Sequence, residues 1–227
     1  MSPAMHVSTT ALRTLPIFES LSQEHLEKIA GYAVLRHVSK NTVVLREGCK
    51  TDNIYLVLSG ALRVQMGDQE GHEVILSMLG PGEMFGEMGV IDENPRSATV
   101  VATKPCDLVV ITKHDFKICL AENFDVSLYI IHSLIQRLRL ADRKIESLAL
   151  IDVSGRVARL LLDMAEIKDG RKVVTHHITR QEIARTIGAS REMVSRVMRT
   201  LQIQGLIEET DGYIWLCEEI ADPVSPN

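Results

Sequence analysis

Phe85-Gly86-Glu87-Met88-Gly89, followed after a short gap by Pro95-Arg96-Ser97-Ala98-Thr99, is the stretch on which the reading of this chain turns. A carboxylate and a guanidinium stand nine residues apart, each among small or turn residues. Arg96 can hold the oxygens of an anion in a charge-assisted fork. Glu87 can accept a hydrogen bond from a sugar hydroxyl. Gly86 and Gly89 let backbone N–H groups approach closely and form an anion-binding concavity around Met88. This chemistry suits a buried cyclic phosphodiester. The same spacing also fits a hairpin tip with a surface Glu–Arg pair, and spacing alone does not choose between them.

Around this stretch the chain reads as short strands. From Ala33 to Ile111, β-rich runs recur at Val43–Leu45, Ile54–Leu58, Ala61–Val64, Glu73–Leu76, Ala98–Ala102 and Leu108–Ile111. Turn signals separate them at Glu47-Gly48, Ser59-Gly60, Gly67-Asp68, Glu70-Gly71, Gly80-Pro81-Gly82 and Glu93-Asn94-Pro95. Such spacing predicts an antiparallel barrel or jelly roll. Before it, Thr14 to Ile29 reads as short helices capped by Ser20 or Ser22.

After a short helix at Asp115–Asn123, a long one is expected from about Val126 to Leu150. Ile131, Leu134, Leu138, Ala141, Ile145 and Leu148 step alternately by three and four, the pattern of a helix–helix seam. Arg137, Arg139, Asp142, Arg143, Lys144 and Glu146 flank it, favouring a dimer over packing on the chain's own core. Asp152-Val153-Ser154-Gly155 marks a hinge, where Asp152 or Ser154 can cap a helix over Arg156–Ile167. Lys168-Asp169-Gly170 reads as a turn and Val173–Thr179 as a short strand.

The C-terminal third has the organisation of a helix-turn-helix. Thr179 and Glu182 form a capping box, Ile183, Ala184 and Ile187 an inner face, and Gly188 a turn. Ser190 caps the second helix, whose apolar stripe is Met193, Val194, Val197 and Leu201. Arg191, Glu192, Ser195 and Arg196 are left on the outer face, where Arg can read guanine and Glu cytosine in a major groove. Thr179, Arg180 and Gln181 are placed to hold phosphate. Alternation in Leu206–Glu209 and Tyr213–Leu216 predicts a two-stranded wing about Asp211-Gly212.

Charge agrees. The chain of 227 residues carries a net charge of −5, yet residues 171–199 hold seven Lys/Arg against two Glu. A basic segment inside an acidic protein suggests a nucleic-acid face. The hydrophobic fraction, 45%, is ample for a core. Four scattered cysteines, Cys49, Cys106, Cys119 and Cys217, lack close pairing and read as small buried hydrophobes in a reducing compartment. No metal site is expected. Residues 1–10 read as no secretory signal, and no apolar run reaches the ~18 residues of a membrane span. The expected location is cytoplasmic, without membrane association.

The Phe85–Thr99 stretch resembles the phosphate-binding cassette of cyclic-nucleotide-binding domains. Ile178 to Leu201, with Thr-Arg-Gln-Glu-Ile and Ser-Arg-Glu-Met-Val-Ser-Arg, is similar to the winged helix-turn-helix of the cyclic-AMP receptor / fumarate-nitrate regulator superfamily. Leu148 to Ala158 matches that family's hinge, and the resemblance spans about residues 15–216. It implies an α+β fold: an N-terminal antiparallel β-barrel or jelly roll (1–124), a dimerisation helix and hinge (125–154), and a C-terminal winged helix-turn-helix (155–227). The implied function is that of a homodimeric bacterial transcription regulator, not an enzyme. It would bind double-stranded DNA resembling TGTGA-N6-TCACA through Arg191, Glu192 and Arg196, and contact RNA polymerase. Its effector would be a cyclic nucleotide held by Gly86, Glu87, Met88, Arg96 and Ser97.

One departure bears on the effector. Where the cyclic-AMP receptor carries a Thr-Ser pair that reaches adenine, this chain has Ala141-Asp142. A carboxylate can accept from adjacent N–H groups of guanine, so cyclic GMP and cyclic di-GMP stand beside cyclic AMP. Alternatively Asp142 pairs with Arg139, Arg143 or Arg137 of the partner subunit. No cysteine cluster precedes Cys49 to hold iron–sulfur, and His6, His25, His37, His72, His114 and His132 lack an axial-ligand pattern for haem. No nucleophile–base set, zinc motif or Walker loop suggests catalysis. The remaining alternative is a DNA-binding regulator with a vestigial pocket, active without effector.

Overall fold

The computed structural model describes residues 5–217 apart from 51, 69, 71, 72, 169, 176 and 211. The expected turn residues Gly71, Asp169 and Asp211, and His72, lie outside the described residues. The chain divides into two units, Met1–Arg137 and Leu138–Asn227, each with its own core.

The first unit opens with β1 (Met5–His6), α1 (Thr9–Arg13), a 3-10 turn at Pro16–Phe18 and α2 (Gln23–Tyr32). Ser22, not Ser20, caps α2, its hydroxyl accepting from the His25 N–H at 3.3 Å. Six strands follow: β2 (Val34–Val38), β3 (Val43–Leu45), β4 (Asn53–Ser59), β5 (Leu62–Gly67), β6 (Glu73–Leu79) and β7 (Met84–Phe85). Then come α3 (Glu87–Ile91), β8 (Thr99–Ala102), β9 (Cys106–Thr112), α4 (Lys113–Glu122) and α5 (Phe124–Leu150).

These strands form two antiparallel sheets, ordered β1-β2-β9-β4-β7 and β3-β8-β5-β6, a jelly-roll arrangement rather than one closed barrel. Period-two alternation explains the layering. On β4, Tyr55 and Val57 point into a core shared with Leu45, Leu62, Leu79, Val100 and Ala102 of the second sheet. Ile54 and Leu56 point the other way, onto Leu12, Phe18, Leu26, Ile29, Phe116, Val126 and Ile130 of the helices. The first sheet is therefore covered on both faces, which suits its run of five apolar residues, Ile54–Leu58.

Helix α5 corrects the seam assignment at one position. Val126 and Ile130 are buried, and Leu134 packs against the same core. These three recur every four residues and continue the inner stripe, so Leu134 belongs to the unit's own packing. Ile131, Leu138, Ile145 and Leu148 are exposed at 52, 62, 65 and 54%, and Ala141 is exposed with them. Of the cysteines, Cys106 and Cys119 are buried as expected, whereas Cys49 is exposed.

The second unit continues with α6 (Val153–Met164), β10 (Glu166–Lys168), β11 (Arg171–Val174), α7 (Arg180–Ile187), α8 (Arg191–Ile203), β12 (Ile207–Thr210) and β13 (Tyr213–Leu216). Asp152 caps α6 by accepting from the Gly155 N–H at 2.8 Å. The helix stops at Met164, short of Ile167. Ile167 instead pairs with Lys172 in a hairpin, its side chain 81% exposed. The four strands order β10-β11-β13-β12 and cover a core of Val157, Leu161, Val174, Ile183, Val194, Met198, Leu201 and Ile214. Among the described residues no single helix is long and apolar enough to cross a membrane.

Candidate functional site

In the first unit the cassette is built where β7 ends. Phe85 stacks on Tyr55 of β4 with ring centroids 5.1 Å apart and planes 11° from parallel. The chain then turns through Gly86 at φ 85 and enters α3. A Cβ at Gly86 would lie 3.0 Å from Nη1 of Arg96 and 3.3 Å from the Asn53 carbonyl, so the turn needs glycine for space as well as conformation. Past α3, backbone bonds fasten Arg96 to a neighbouring loop: its N–H donates to Cys49 O at 3.0 Å, and its carbonyl accepts from Gly48 N at 2.9 Å.

These constraints bring the charged pair inside. Glu87 is 1% exposed and Arg96 4%. The Arg96 guanidinium donates to the Gly86 carbonyl, and to the Asn53 carbonyl at 2.6 Å. Burial pushes its pKa down, opposed by the charges of Tyr55, Glu87 and Asp52. Glu87 accepts from Nη1 of Arg137 at 2.7 Å through Oε1, and Arg137 also donates to the Met84 carbonyl. Oε2 of Glu87 is buried without a hydrogen-bond partner among the described residues. A buried carboxylate oxygen left unpaired costs on the order of 1–3 kcal/mol, so this atom is suited to an incoming hydroxyl donor. Gly86, Glu87 and Arg96 are thus brought together, while Met88 and Ser97 stand exposed at the margin. Two clefts of about 270 and 390 Å³ are lined by His25, Tyr32 and Cys119, and by Asp52, Lys113 and Lys117; neither is lined by Glu87 or Arg96. The Arg96 side chain is instead turned onto the Gly86 and Asn53 carbonyls.

Arg137 is the residue that sequence reasoning missed. It entered as a flanking charge on the long helix and as an alternative partner for Asp142, not as part of the cassette. Nothing within its own neighbourhood signals a partner fifty residues earlier. Ala141 and Asp142 follow on α5, exposed, in the second unit. Asp142 forms no ion pair among the described residues, and Arg143 donates instead to the Arg139 carbonyl at 3.4 Å.

In the second unit the helix-turn-helix is tightly specified. The Thr179 hydroxyl accepts from Glu182 N at 3.2 Å, and the Thr179 N–H donates to the Glu182 carboxylate at 2.8 Å, completing the capping box. Gly188 ends α7 in the left-handed conformation at φ 65, and Ser190 caps α8 by accepting from Met193 N at 3.2 Å. Val194, Met198 and Leu201 bury the inner face of α8 with Val197 at its edge, whereas Met193 is 44% exposed. The period of 3.6 explains this: positions 194, 198 and 201 share one face, and 193 falls beside 196. Arg191, Glu192, Ser195 and Arg196 are all exposed along α8, as are Thr179 and Gln181 at the start of α7. The Glu192 carboxyl is held below its usual pKa, first by its own backbone N–H and then by Ser190. Arg180 is not open: it forms an ion pair with Glu209 on β12.

A cyclic-nucleotide-type sensor joined through a long helix to a winged helix-turn-helix defines a class, the ligand-responsive transcription regulators. The cyclic nucleotide-binding domain family matches residues 35–123, and the Crp-like helix-turn-helix domain family matches residues 155–219. This chain belongs to the CRP/FNR family of transcription regulators. It is 33% identical over 194 residues to the cAMP-activated global transcriptional regulator Vfr of Pseudomonas aeruginosa, covering 81% of this chain and 89% of Vfr. It is 35% identical over 179 residues to the cAMP-activated regulator CRP of Pasteurella multocida, covering 76% and 84%. Among solved structures it resembles the c-di-GMP responsive global regulator CLP of Xanthomonas campestris with a TM-score of 0.73 and 29% identity, covering 86% of this chain and 99% of that one.

Proposed function

We propose that this chain is a homodimeric, non-enzymatic regulator of bacterial transcription whose DNA affinity is set by a cyclic nucleotide bound at Glu87 and Arg96. The observation that carries the reading is the buried Glu87 carboxylate: one oxygen is paired to Arg137 and the other lacks a partner among the described residues. A sugar hydroxyl would satisfy the second oxygen. Arg96 would exchange backbone carbonyls for a phosphate, a stronger partner for a guanidinium. The functional division is sensor 1–124, dimerisation helix and hinge 125–154, and DNA-binding head 155–227. Ile131, Leu138, Ala141, Ile145 and Leu148 form the seam between two copies. Arg191, Glu192 and Arg196 read bases of a site resembling TGTGA-N6-TCACA, with Thr179, Arg180, Gln181, Ser190 and Ser195 around them on the backbone and groove. Half-sites one turn, ~34 Å, apart suit a two-fold dimer. RNA polymerase is the further partner, and the protein works in the cytoplasm.

For the base of the effector, Asp142 favours guanine. Its carboxylate is exposed and free of ion pairs among the described residues, and it can accept from two adjacent guanine donors. The similarity to a c-di-GMP responsive regulator supports this, and the similarity to cAMP-activated ones supports a cyclic nucleotide of either base. Calorimetric titration of the protein and of Asp142→Ser with cyclic AMP, cyclic GMP and cyclic di-GMP tests it. Tighter binding of a guanine nucleotide, lost in the variant, is expected; preference for cyclic AMP overturns the guanine assignment. One observation favours a second reading, an effector-independent regulator: Arg96 is already committed to the Gly86 and Asn53 carbonyls. That reading predicts no binding heat with any of the three.

A further inference from the structure

The wing of the second unit carries two adjacent carboxylates, Glu208 and Glu209, on the exposed stretch of β12. They differ in what they hold. Glu208 stands 3.8 Å from Arg171, with both side chains more than half exposed. Glu209 makes a direct ion pair with Nη2 of Arg180, and these side chains are only 30 and 28% exposed. Arg180 is the first residue of α7, two positions after Ile178 and eleven before Arg191. The single cation of the Thr179–Gln181 group is therefore paired with a carboxylate from the wing. A phosphate that pairs with Arg180 would compete with that carboxylate for the guanidinium.

We propose that Glu209 is a built-in competitor of the DNA backbone, which holds Arg180 in loose, sequence-independent encounters and restrains them. Because backbone contacts supply essentially all of non-specific affinity, a withheld arginine lowers binding to arbitrary DNA. The groove-reading side chains of α8 are untouched by this pairing. The wing thereby shifts discrimination towards sites where α8 also engages bases. The inference rests on the reading of Arg180 as a phosphate-facing residue and adds a residue that sets specificity.

The test is a salt titration of full-length protein on a fluorescent duplex of random sequence, read by anisotropy. The variants are Glu209→Gln, Glu208→Gln, Arg180→Gln and the Arg180→Gln/Glu209→Gln double variant, with thermal melts to establish that each is folded. Glu209→Gln should bind roughly five- to tenfold tighter near 100 mM salt and steepen the slope of log K against log salt by about 0.9, one phosphate's worth. The double variant should return to the wild-type slope, because the gain passes through Arg180. Glu208→Gln changes net charge equally and should leave the slope unaltered. Equal gains from both glutamate variants, a gain that survives loss of Arg180, or no gain would overturn the proposal. A folded wild-type protein that binds no duplex at all would instead sink the DNA-binding reading, and this inference with it.

Discussion

At Gly86 the backbone stands at φ 85, with Nη1 of Arg96 3.0 Å from the place a Cβ would take. A methyl group there forces either the turn or the guanidinium to move. Gly86→Ala should lose about 1–3 kcal/mol of stability, measured by urea unfolding, and should weaken nucleotide binding more than Met88→Ala on the exposed margin. A second residue-scale prediction concerns acid. Glu93 lies between Lys113 at 2.9 Å and Lys117 at 3.0 Å, which hold its carboxyl pKa at about 2, below its ordinary 4.5. Because the folded pKa is depressed, the pairing stabilises above about pH 4.5 and is lost as pH falls through about 2. Glu93→Gln should therefore be less stable than the native protein at pH 7, with the difference shrinking as pH falls towards 2, in denaturant midpoints at each pH.

Two apolar stripes run along α5, and their separation decides what the helix is for. Val126, Ile130 and Leu134 belong to the first unit's core, whereas Ile131, Leu138, Ile145 and Leu148 face outward. Burying an exposed aliphatic side chain contributes on the order of 1.5–3 kcal/mol, so four such residues from each copy would make a substantial seam in the proposed dimer. Ile145→Asp should convert the dimer to a monomer in sedimentation velocity at micromolar protein, with thermal stability of the sensor unit unchanged. A persisting dimer would place the interface elsewhere. The strands, the long helix and the helix-turn-helix were legible in the sequence because each has a strong local period, and the helix-turn-helix has caps as well: Thr179, Ser190 and Gly188 all act where they were expected. Leu134 was misassigned because steps of three and four also describe the edge between two stripes. Met193 was misassigned for a similar reason, since one residue of phase error along α8 turns a stripe through 194 and 198 into one through 193 and 197. The end of α6 was overrun because Ile167 is apolar, and only strand pairing explains its exposure.

Over the whole molecule, the two units have separate cores, and α5 begins in the first unit and continues into the second. Arg137 on that helix grips Glu87, so in the proposed mechanism a ligand at Glu87 would also act on α5. This coupling was not legible in sequence. The cassette announced its own residues, because a glycine turn, a carboxylate and an arginine lie within a dozen positions. Arg137 is fifty residues from Glu87, and only folding brings them together. The same holds for Glu209 and Arg180. A ligand can shift the regulator's state only by binding its two forms unequally, and removing the anion grip should remove that difference. The most direct measurement is the affinity of the full-length protein for a TGTGA-N6-TCACA duplex, by anisotropy, with and without each cyclic nucleotide, in native protein and Arg96→Gln. The account predicts at least a tenfold change with one nucleotide, about 1.4 kcal/mol of coupling, and none in Arg96→Gln at unchanged effector-free affinity. Identical affinities with every nucleotide, or a response that persists without the guanidinium, would contradict it.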